Sequence, residues 1–312
     1  FLAIKTSFRP MEIDRSQTFD EFLGMRLVMA RRVAQSNGVP FDANTSAYPE
    51  GFGSNSQEVL IPAFLAAYSG TDANSQTLSK FPKIPMPNWN MKYDGLTNIP
   101  WVAERFTKVS ISHGYSCTYS VNSFQSNLLF DGLMDPFTGS NDPDDPFYMP
   151  DNFDVNGDYL TAQQIENVNI SEQFSPLIKV DITMKNSLTT RIEFSKDRSM
   201  ALSLNDNKIT EQAGKSFTLG IGYRIDDFQF RVSTAKGNKT YSSNLDLNVD
   251  VTIRNNKSAI RKIEENSHQP IGGNTNISIK TTADYVLSDR VNLQLFYDRV
   301  VTKYEVANSY DQ

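Results

Sequence analysis

The side chains best suited to chemistry lie in an acidic stretch near the middle of the chain. Asp154, Asn156 and Asp158 repeat the spacing of the first ligands in a calcium-binding loop of the EF-hand type. In that loop the sixth position is glycine and the twelfth is glutamate, whereas these positions here hold Tyr159 and Ile165. The pattern excludes an EF-hand and leaves the three residues as weak candidates for a looser calcium site. The alternative is a hydrated acidic loop.

The remaining reactive side chains are isolated in the sequence. The chain contains two histidines, His113 and His268, and one cysteine, Cys117. Neither histidine has a second metal ligand at a suitable spacing, and Cys117 has no patterned His or Asn partner. The motif Gly220-Ile-Gly222 is too short for a phosphate-binding loop and favours a bend or bulge in a strand. The sequence therefore predicts no catalytic residues, no enzyme activity and no cofactor.

Composition narrows the class of protein. The 312 residues carry a net charge of -6 and show no extended cluster of Lys and Arg, which argues against a nucleic-acid partner. The longest apolar stretch, from Val59 to Tyr68, contains Pro62 and is well short of the roughly 20 residues of a membrane-spanning helix. A hydrophobic content of 39% is compatible with a transmembrane β-barrel, because only every second residue of its strands faces lipid.

Apolar and polar residues alternate over long stretches of the C-terminal half, which indicates strands whose two faces meet different environments. The stretch from Leu245 to Ile253 is the clearest, and similar patterns begin at Ile178, Phe217 and Val291. In a barrel the apolar side chains would face lipid. The candidate lipid-facing residues are Leu245, Leu247, Val249, Val251, Ile253, Val291, Leu293 and Leu295.

Aromatic residues and turns favour a membrane barrel over a soluble sheet. Tyr223, Tyr285 and Tyr297 are expected toward strand ends, where they would form an aromatic girdle at the membrane interface. Short turns are expected at Asn205–Asn207 and Leu287–Arg290. The alternative is a soluble antiparallel sheet that packs one of its faces on a core.

Three insertions interrupt the strand pattern, at about residues 16–36, 56–70 and 132–172. The first is expected to be a surface helix, and the second a helix that begins near Ser56 and ends at Gly70. The third contains a segment rich in Pro and Asp and is expected to be an exposed loop. The Val59 to Tyr68 helix and the acidic insert are candidates for a cap or for an element that narrows a lumen.

Several segments spread over most of the chain resemble the SprA (Sov) family. They are Asn55–Gly70, Lys83–Leu96, Val109–Val121, Ser175–Leu188, Arg254–Ile263, Asp284–Arg290 and Phe296–Arg299. The resemblance implies an all-β fold with inserted helices, which forms part of a large antiparallel transmembrane β-barrel in the outer membrane. Residues 1–312 are expected to be a single segment of barrel wall that is incomplete at both ends.

The same resemblance implies a pore that passes folded proteins across the outer membrane in type IX secretion and gliding motility, without catalysis. The implied partners are secreted protein cargo, a PorV-like outer-membrane protein, a periplasmic plug protein and the lipid bilayer. Two other classes stay open. One is a soluble or surface-attached β-sandwich adhesin, and the other is a nutrient-uptake β-barrel transporter.

Overall fold

The fold is mostly antiparallel β-sheet, with 59% of residues in strands and few helices. The computed structural model describes residues 8–9, 11, 13–82, 87–128, 130, 153–154, 156–234, 237–288 and 291–305. Within these residues the strands form one sheet of eight in the order of the chain, each pairing with the next. The expected all-β fold with inserted helices is therefore confirmed at the level of the open sheet.

The strands are long. They are β1 (Trp89–Tyr93), β2 (Phe106–Ser126), β3 (Gln163–Met184), β4 (Leu188–Ser203), β5 (Lys208–Thr234), β6 (Gly237–Lys262), β7 (Ser267–Ser288) and β8 (Val291–Glu305). β5 alone has 27 residues, far more than the about 3 to 10 of most strands in globular proteins. The alternation read from the sequence continues along much of β4, β5 and β6, whereas the first half of β3 is mostly polar.

The strands of the sheet have two ends, and hairpin turns lie at both of them. Residues 204–207 and 263–266 form turns at one end, which we call the helix end because the helices pack beside it. The opposite end, which we call the turn end, carries the turn at residues 185–187. The expected turn at Asn205–Asn207 is confirmed, whereas the one at Leu287–Arg290 lies partly outside the described residues.

Two longer helices precede the sheet and a short one follows β1. They are α1 (Gln17–Ser36), α2 (Gln57–Ser69) and α3 (Pro100–Arg105), with a 3-10 turn at Gly95–Asn98. The hydroxyl of Ser16 caps α1 by accepting from the backbone N–H of Phe19 at 3.2 Å. Gly70 ends α2 in the left-handed conformation at φ 68°, as expected for a glycine at a helix C-terminus. None of the described helices is long and apolar enough to cross a membrane.

The core lies between these helices and the helix end of the sheet. α1 and α2 pack against each other, and α2 is buried along almost its whole length. One side of α1 is also buried, including Phe19, Phe22 and Met29. The apolar side of α1 therefore covers α2 while its other side meets solvent, as expected of a surface helix.

Two other expectations need correction. The insertion expected at 132–172 extends too far, because β3 begins at Gln163 and its polar first half hid the strand pattern. Residues 132–152 of that insertion lie outside the described residues. Gly220 and Gly222 do not mark a bulge, since β4 and β5 pair without interruption from Leu188 to Ser203.

Candidate functional site

The sheet has an apolar and a polar face, and the strand register shows which residues belong to each. Directly paired residues of antiparallel strands project from the same face, as do alternate residues within one strand. We define the apolar face as the face of Val249, which pairs with Ile221 and Thr281. The polar face is that of the adjacent Asn248, which pairs with Gly222.

A band of exposed, mostly apolar side chains crosses the apolar face toward the turn end, and on β8 it also contains the exposed Arg299, which pairs with Ile279. From Leu245 to Ile253 it covers roughly 27 Å of strand at about 3.4 Å per residue. A tilted strand crosses a bilayer in about 9 to 11 residues, so the band has the length of a membrane crossing. Its large exposed members, 36% to 64% exposed, are Ile178, Ile192, Phe217, Ile221, Tyr223, Leu247, Val249, Ile253, Ile277, Ile279, Leu293, Leu295, Tyr297 and Val301.

The structure brings the candidate lipid-facing residues together in this band. Leu245 of β6 and Leu293 of β8 both pair with Tyr285 of β7. Leu247 of β6 and Leu295 of β8 both pair with Ala283 of β7. Val251 and Ile253 continue the band along β6. Val291 lies two residues before Leu293 on the same strand. Contact of these residues with lipid stays a prediction.

Two of the three tyrosines expected at strand ends lie inside the band instead. Tyr223 pairs with Leu247, and Tyr297 is level with Val249 across β7. The expected girdle position was wrong for both, because alternation gives the face of a residue but not its height along the strand. That height depends on where the turns fall.

A different aromatic cluster borders the band at the turn end. The hydroxyl of Tyr285 donates to the carbonyl oxygens of Phe228 and Tyr241, at 3.1 Å in both cases. The rings of Phe228 and Phe230 lie 6.0 Å from that of Tyr285, measured between centroids. A bulge between Ile225 and Phe228 sets the register of this cluster, and the alternating pattern could not show it.

The polar face carries ion pairs between neighbouring strands. Arg224 of β5 donates two hydrogen bonds to Asp246 of β6, at 2.6 and 3.0 Å. Arg254 of β6 reaches across β5 to Asp197 of β4, with distances of 2.8 and 3.0 Å to the two carboxylate oxygens. From β4 to β6 this face is therefore charged and suited to an aqueous space, whereas on β8 it carries the exposed side chains of Phe296, Val300 and Tyr304.

Glycines of β5 make room for these polar side chains. A Cβ at Gly214 would lie within 3 Å of both Arg254 and Asp197, which cross above it. A Cβ at Gly220 would meet Asp250, and one at Gly222 would meet Asn248. The glycines therefore serve close packing of polar side chains over a regular strand.

The helices pack on the apolar face, not on the polar one. The core under α2 includes Met200, Leu202 and Ile209, and Ile209 shares a face with the apolar band because β5 alternates without a bulge from there to Ile225. The idea that the Val59 to Tyr68 helix narrows a lumen requires it to lie on the polar face. The structure places α2 on the opposite face, so a role of α2 as a cap or as an element that narrows a lumen stays a prediction, and most of the acidic insert lies outside the described residues.

A buried ion pair connects α2 to β3 and β4. Arg198 pairs through its Nε with Glu172, and its Nη2 donates to the backbone carbonyl of Tyr68 at 3.0 Å. The hydroxyl of Tyr115 donates to the other oxygen of Glu172 at 2.8 Å. The Glu172 and Arg198 side chains are almost fully shielded from water, so each charge depends on these partners.

A second buried ion pair joins β5 and β6. Arg261 donates to Glu211 at 3.2 Å and to the backbone carbonyl of Ile13 at 2.7 Å. The hydroxyl of Tyr68 donates to Glu211 at 2.5 Å. Burial, followed by the negative charge of Glu211, raises the pKa of Tyr68 well above its ordinary value, so this phenol stays a hydrogen-bond donor over the physiological pH range.

The sequence analysis missed the four charged residues Glu172, Arg198, Glu211 and Arg261. A signal existed for Glu172, which replaces an apolar residue in the otherwise apolar series Ile170-Ser-Glu172-Gln-Phe174. Pairing them required the register, and an irregularity between Phe174 and Ile178 shifts the β3–β4 register by two residues. The sequence offers no measure of that shift.

Asp154 and Asp158 accept hydrogen bonds from backbone N–H groups of their own loop and of the segment before α2. Asp154 Oδ1 accepts from the backbone N–H groups of Asn156 and Asp158, at 2.8 and 2.9 Å. Asp158 accepts from the backbone of Gly53, and burial raises the pKa of its carboxyl. The described part of the chain holds no group of three His, Cys, Asp or Glu side chains arranged for a metal ion, so the calcium prediction gains no support.

The histidines and the cysteine lie apart from one another. His113 Nδ1 is 2.6 Å from the carbonyl oxygen of Leu177, and the ring of His268 contacts that of Phe19 at 5.4 Å between centroids. Cys117 is buried under the helices. These positions are consistent with packing roles.

Comparison with known proteins adds no assignment. No protein-family model matches the chain, and no curated protein matches its sequence significantly.

Proposed function

We propose that this chain is a length of wall from a large transmembrane β-barrel of the outer membrane. The observation that carries the proposal is the exposed apolar band, which has the height of a membrane crossing and continues across neighbouring strands. Soluble proteins rarely leave so large an apolar patch in water. Lipid would cover the band, while the charged polar face would line a water-filled lumen.

In this arrangement the long strands extend beyond the membrane. The apolar band lies near the turn end, and α1 and α2 pack on the same outward face at the helix end. Short turns on the periplasmic side and longer segments on the outer side are typical of such barrels. By that rule the helices would lie outside the barrel wall, above the outer leaflet.

We further propose that the barrel passes folded proteins, as in type IX secretion and gliding motility. This part depends on the resemblance to the SprA family, which also suggests secreted cargo, a PorV-like partner and a periplasmic plug. The barrel wall itself performs no catalysis. A nutrient-uptake barrel would share the wall but not the protein cargo.

The β-sandwich adhesin remains the alternative from another class. A sandwich needs a second sheet or layer over the apolar face, but the described strands form a single sheet, and the described helices cover only its helix end. This observation favours lipid as the cover of the band.

A pair of neighbouring substitutions tests the proposal. Val249→Arg places a charge in the middle of the band, at a cost of about 2 to 4 kcal/mol near the bilayer centre. Asn248→Arg adds the same charge on the opposite face. We expect the Val249 variant to be lost from carbonate-washed outer membranes and the Asn248 variant to be retained.

Cells that carry the two variants then test transport. Cells with Asn248→Arg should release secreted proteins normally, and cells with Val249→Arg should retain them in the periplasm. Equal membrane insertion of both variants would show that lipid does not contact the band. Recovery of the native protein in the soluble fraction would favour the adhesin, and insertion without any effect on protein release would favour the nutrient barrel.

A further inference from the structure

A row of lysines borders the apolar band on the side of the helix end. Lys196 of β4 pairs with Lys215 of β5, and Lys215 pairs with Asn255 of β6. The row continues through Thr275 of β7 to Lys303 of β8. All of these residues project from the apolar face. We call Lys196, Lys215 and Lys303 the lysine row.

The lysine row directly follows the last row of the apolar band. That last row consists of Phe194, Phe217, Ile253, Ile277 and Val301, which are paired across the same five strands. Each lysine is therefore two residues from an apolar side chain on its own strand. The lysine row therefore follows the same edge of the band on β4, β5 and β8.

The row meets one carboxylate, that of Glu305, which accepts from the side chains of Asn255 and Thr275 in the same row. Within the described part of the protein, no ion pair includes Lys196, Lys215 or Lys303. Lys196 and Lys215 are directly opposite each other, an arrangement of like charges that destabilises a sheet. The ammonium of Lys196 lies over the ring of Phe194, 5.4 Å from its centroid. These cations are therefore available to an anion at the border of the band.

The opposite border of the band differs in chemistry. There the aromatic cluster of Tyr285, Phe228 and Phe230 takes the place of the lysines. Aromatic rings suit either membrane interface, but ammonium groups suit an interface rich in negative charge. The asymmetry between the two borders indicates that the helix end meets the more anionic surface.

We propose that the lysine row binds the phosphate groups of anionic membrane lipids at the border of the apolar band. This inference rests on the proposed membrane location of the band. It adds the lipid phosphate as a ligand, and it places the membrane surface at the level of the lysine row. The aliphatic stems of the lysines would lie along the last apolar row, and their ammonium groups would reach the phosphates.

The test compares two triple variants of the native, detergent-extracted protein. In the first, Lys196→Gln, Lys215→Gln and Lys303→Gln remove the lysine row. In the matched control, Lys108→Gln, Lys179→Gln and Lys280→Gln remove three lysines from the polar face. Both variants lose the same net charge. Each protein is titrated with short-chain phosphatidylglycerol, phosphatidylcholine and inorganic phosphate.

We expect the native protein and the control to bind phosphatidylglycerol in preference to the other two ligands. Each lysine near a membrane surface contributes roughly a fivefold increase in affinity, so loss of the row should weaken this binding on the order of a hundredfold. An unchanged affinity, an equal loss in the control, or equally tight binding of inorganic phosphate would overturn the inference.

This titration is separate from the test of membrane insertion. Binding of the anionic lipid in detergent does not require a bilayer. If the lysine-row variant binds the anionic lipid as tightly as the native protein, the result of the insertion test with the Val249 and Asn248 variants is unaffected. If the native protein does not insert into membranes, the proposed function fails on that result, whatever the outcome of the titration.

Discussion

At the scale of single residues, the buried ion pairs are the most specific contacts between the helices and the sheet. The faces of α2 and the sheet are otherwise apolar and could slide against one another with little loss of contact. The bond from Arg198 to the carbonyl of Tyr68 and the bond from the Tyr68 hydroxyl to Glu211 fix the end of α2 at one position. Because charges are costly to bury, we infer that these ion pairs determine where α2 lies on the sheet more than they stabilise its packing there.

The first prediction concerns the Glu172–Arg198 pair. Arg198→Met leaves Glu172 buried without its cation and should lower the free energy of unfolding by about 3 to 5 kcal/mol. The double variant Glu172→Leu, Arg198→Met should recover most of this loss, because it leaves no buried charge. Chemical denaturation in detergent, followed by circular dichroism, measures both. A double variant as unstable as the single one would contradict this account.

At the scale of elements, the segment before α2 is attached to the loop before β3 by a close contact. Gly51 has φ 74°, and a Cβ there would overlap the ring of Tyr159. That ring also contacts the rings of Phe52 and Phe153. The backbone of Tyr159 donates to the carbonyl of Gly51 at 2.9 Å. Only glycine satisfies both the backbone angle and the space at this position.

The second prediction separates these two requirements. Gly51→Ala combines backbone strain with a clash against Tyr159, whereas Gly38→Ala meets the same φ of 74° with nothing within 4 Å of the new Cβ. We expect the Gly51 variant to show a lower melting temperature than the Gly38 variant and faster proteolysis within residues 153–161. Equal behaviour of the two variants would mean that the contact with Tyr159 contributes nothing.

The elements themselves were largely predictable from the sequence. The helices followed from apolar spacing and from Gly70, and the long strands followed from alternation such as that from Leu245 to Ile253. The start of β3 was missed because Gln163, Gln164 and their neighbours are mostly polar. Bulges were also missed, since a bulge changes the pairing without changing the composition of the strand. The ion pairs under α2 and the aromatic cluster both depend on such shifts.

At the scale of the whole molecule, one face of the sheet performs two tasks. Toward the helix end it is covered by α1 and α2, and toward the turn end it presents the exposed band. The sequence indicated which residues share a face, because alternation needs no tertiary information. It could not indicate where the cover stops, since Ile209 and Ile221 both belong to the same face of β5, yet Ile209 is buried and Ile221 is exposed.

The third prediction distinguishes the two faces inside a bilayer. Val251→Trp places a fluorophore in the middle of the band, and Thr252→Trp places one on the polar face of the same strand. In vesicles that contain brominated phosphatidylcholine, the fluorescence added at 251 should be quenched and that added at 252 should not. Native Trp89 and Trp101 supply a background, which is subtracted with the unsubstituted protein. Equal quenching at both positions would refute the assignment of faces.

The glycines of β5 also bear on the direction in which the wall can bend. Alternate positions on its polar face hold Gly214, Ser216, Thr218, Gly220 and Gly222, whereas the intervening positions hold Lys215, Phe217, Leu219, Ile221 and Tyr223. The side chains of β5 are therefore bulky on the apolar face and small on the polar face. Bending the sheet toward the polar face brings only small side chains closer together, whereas bending it toward the apolar face would crowd the bulky ones. The strand therefore favours an arc whose hollow side is the charged one.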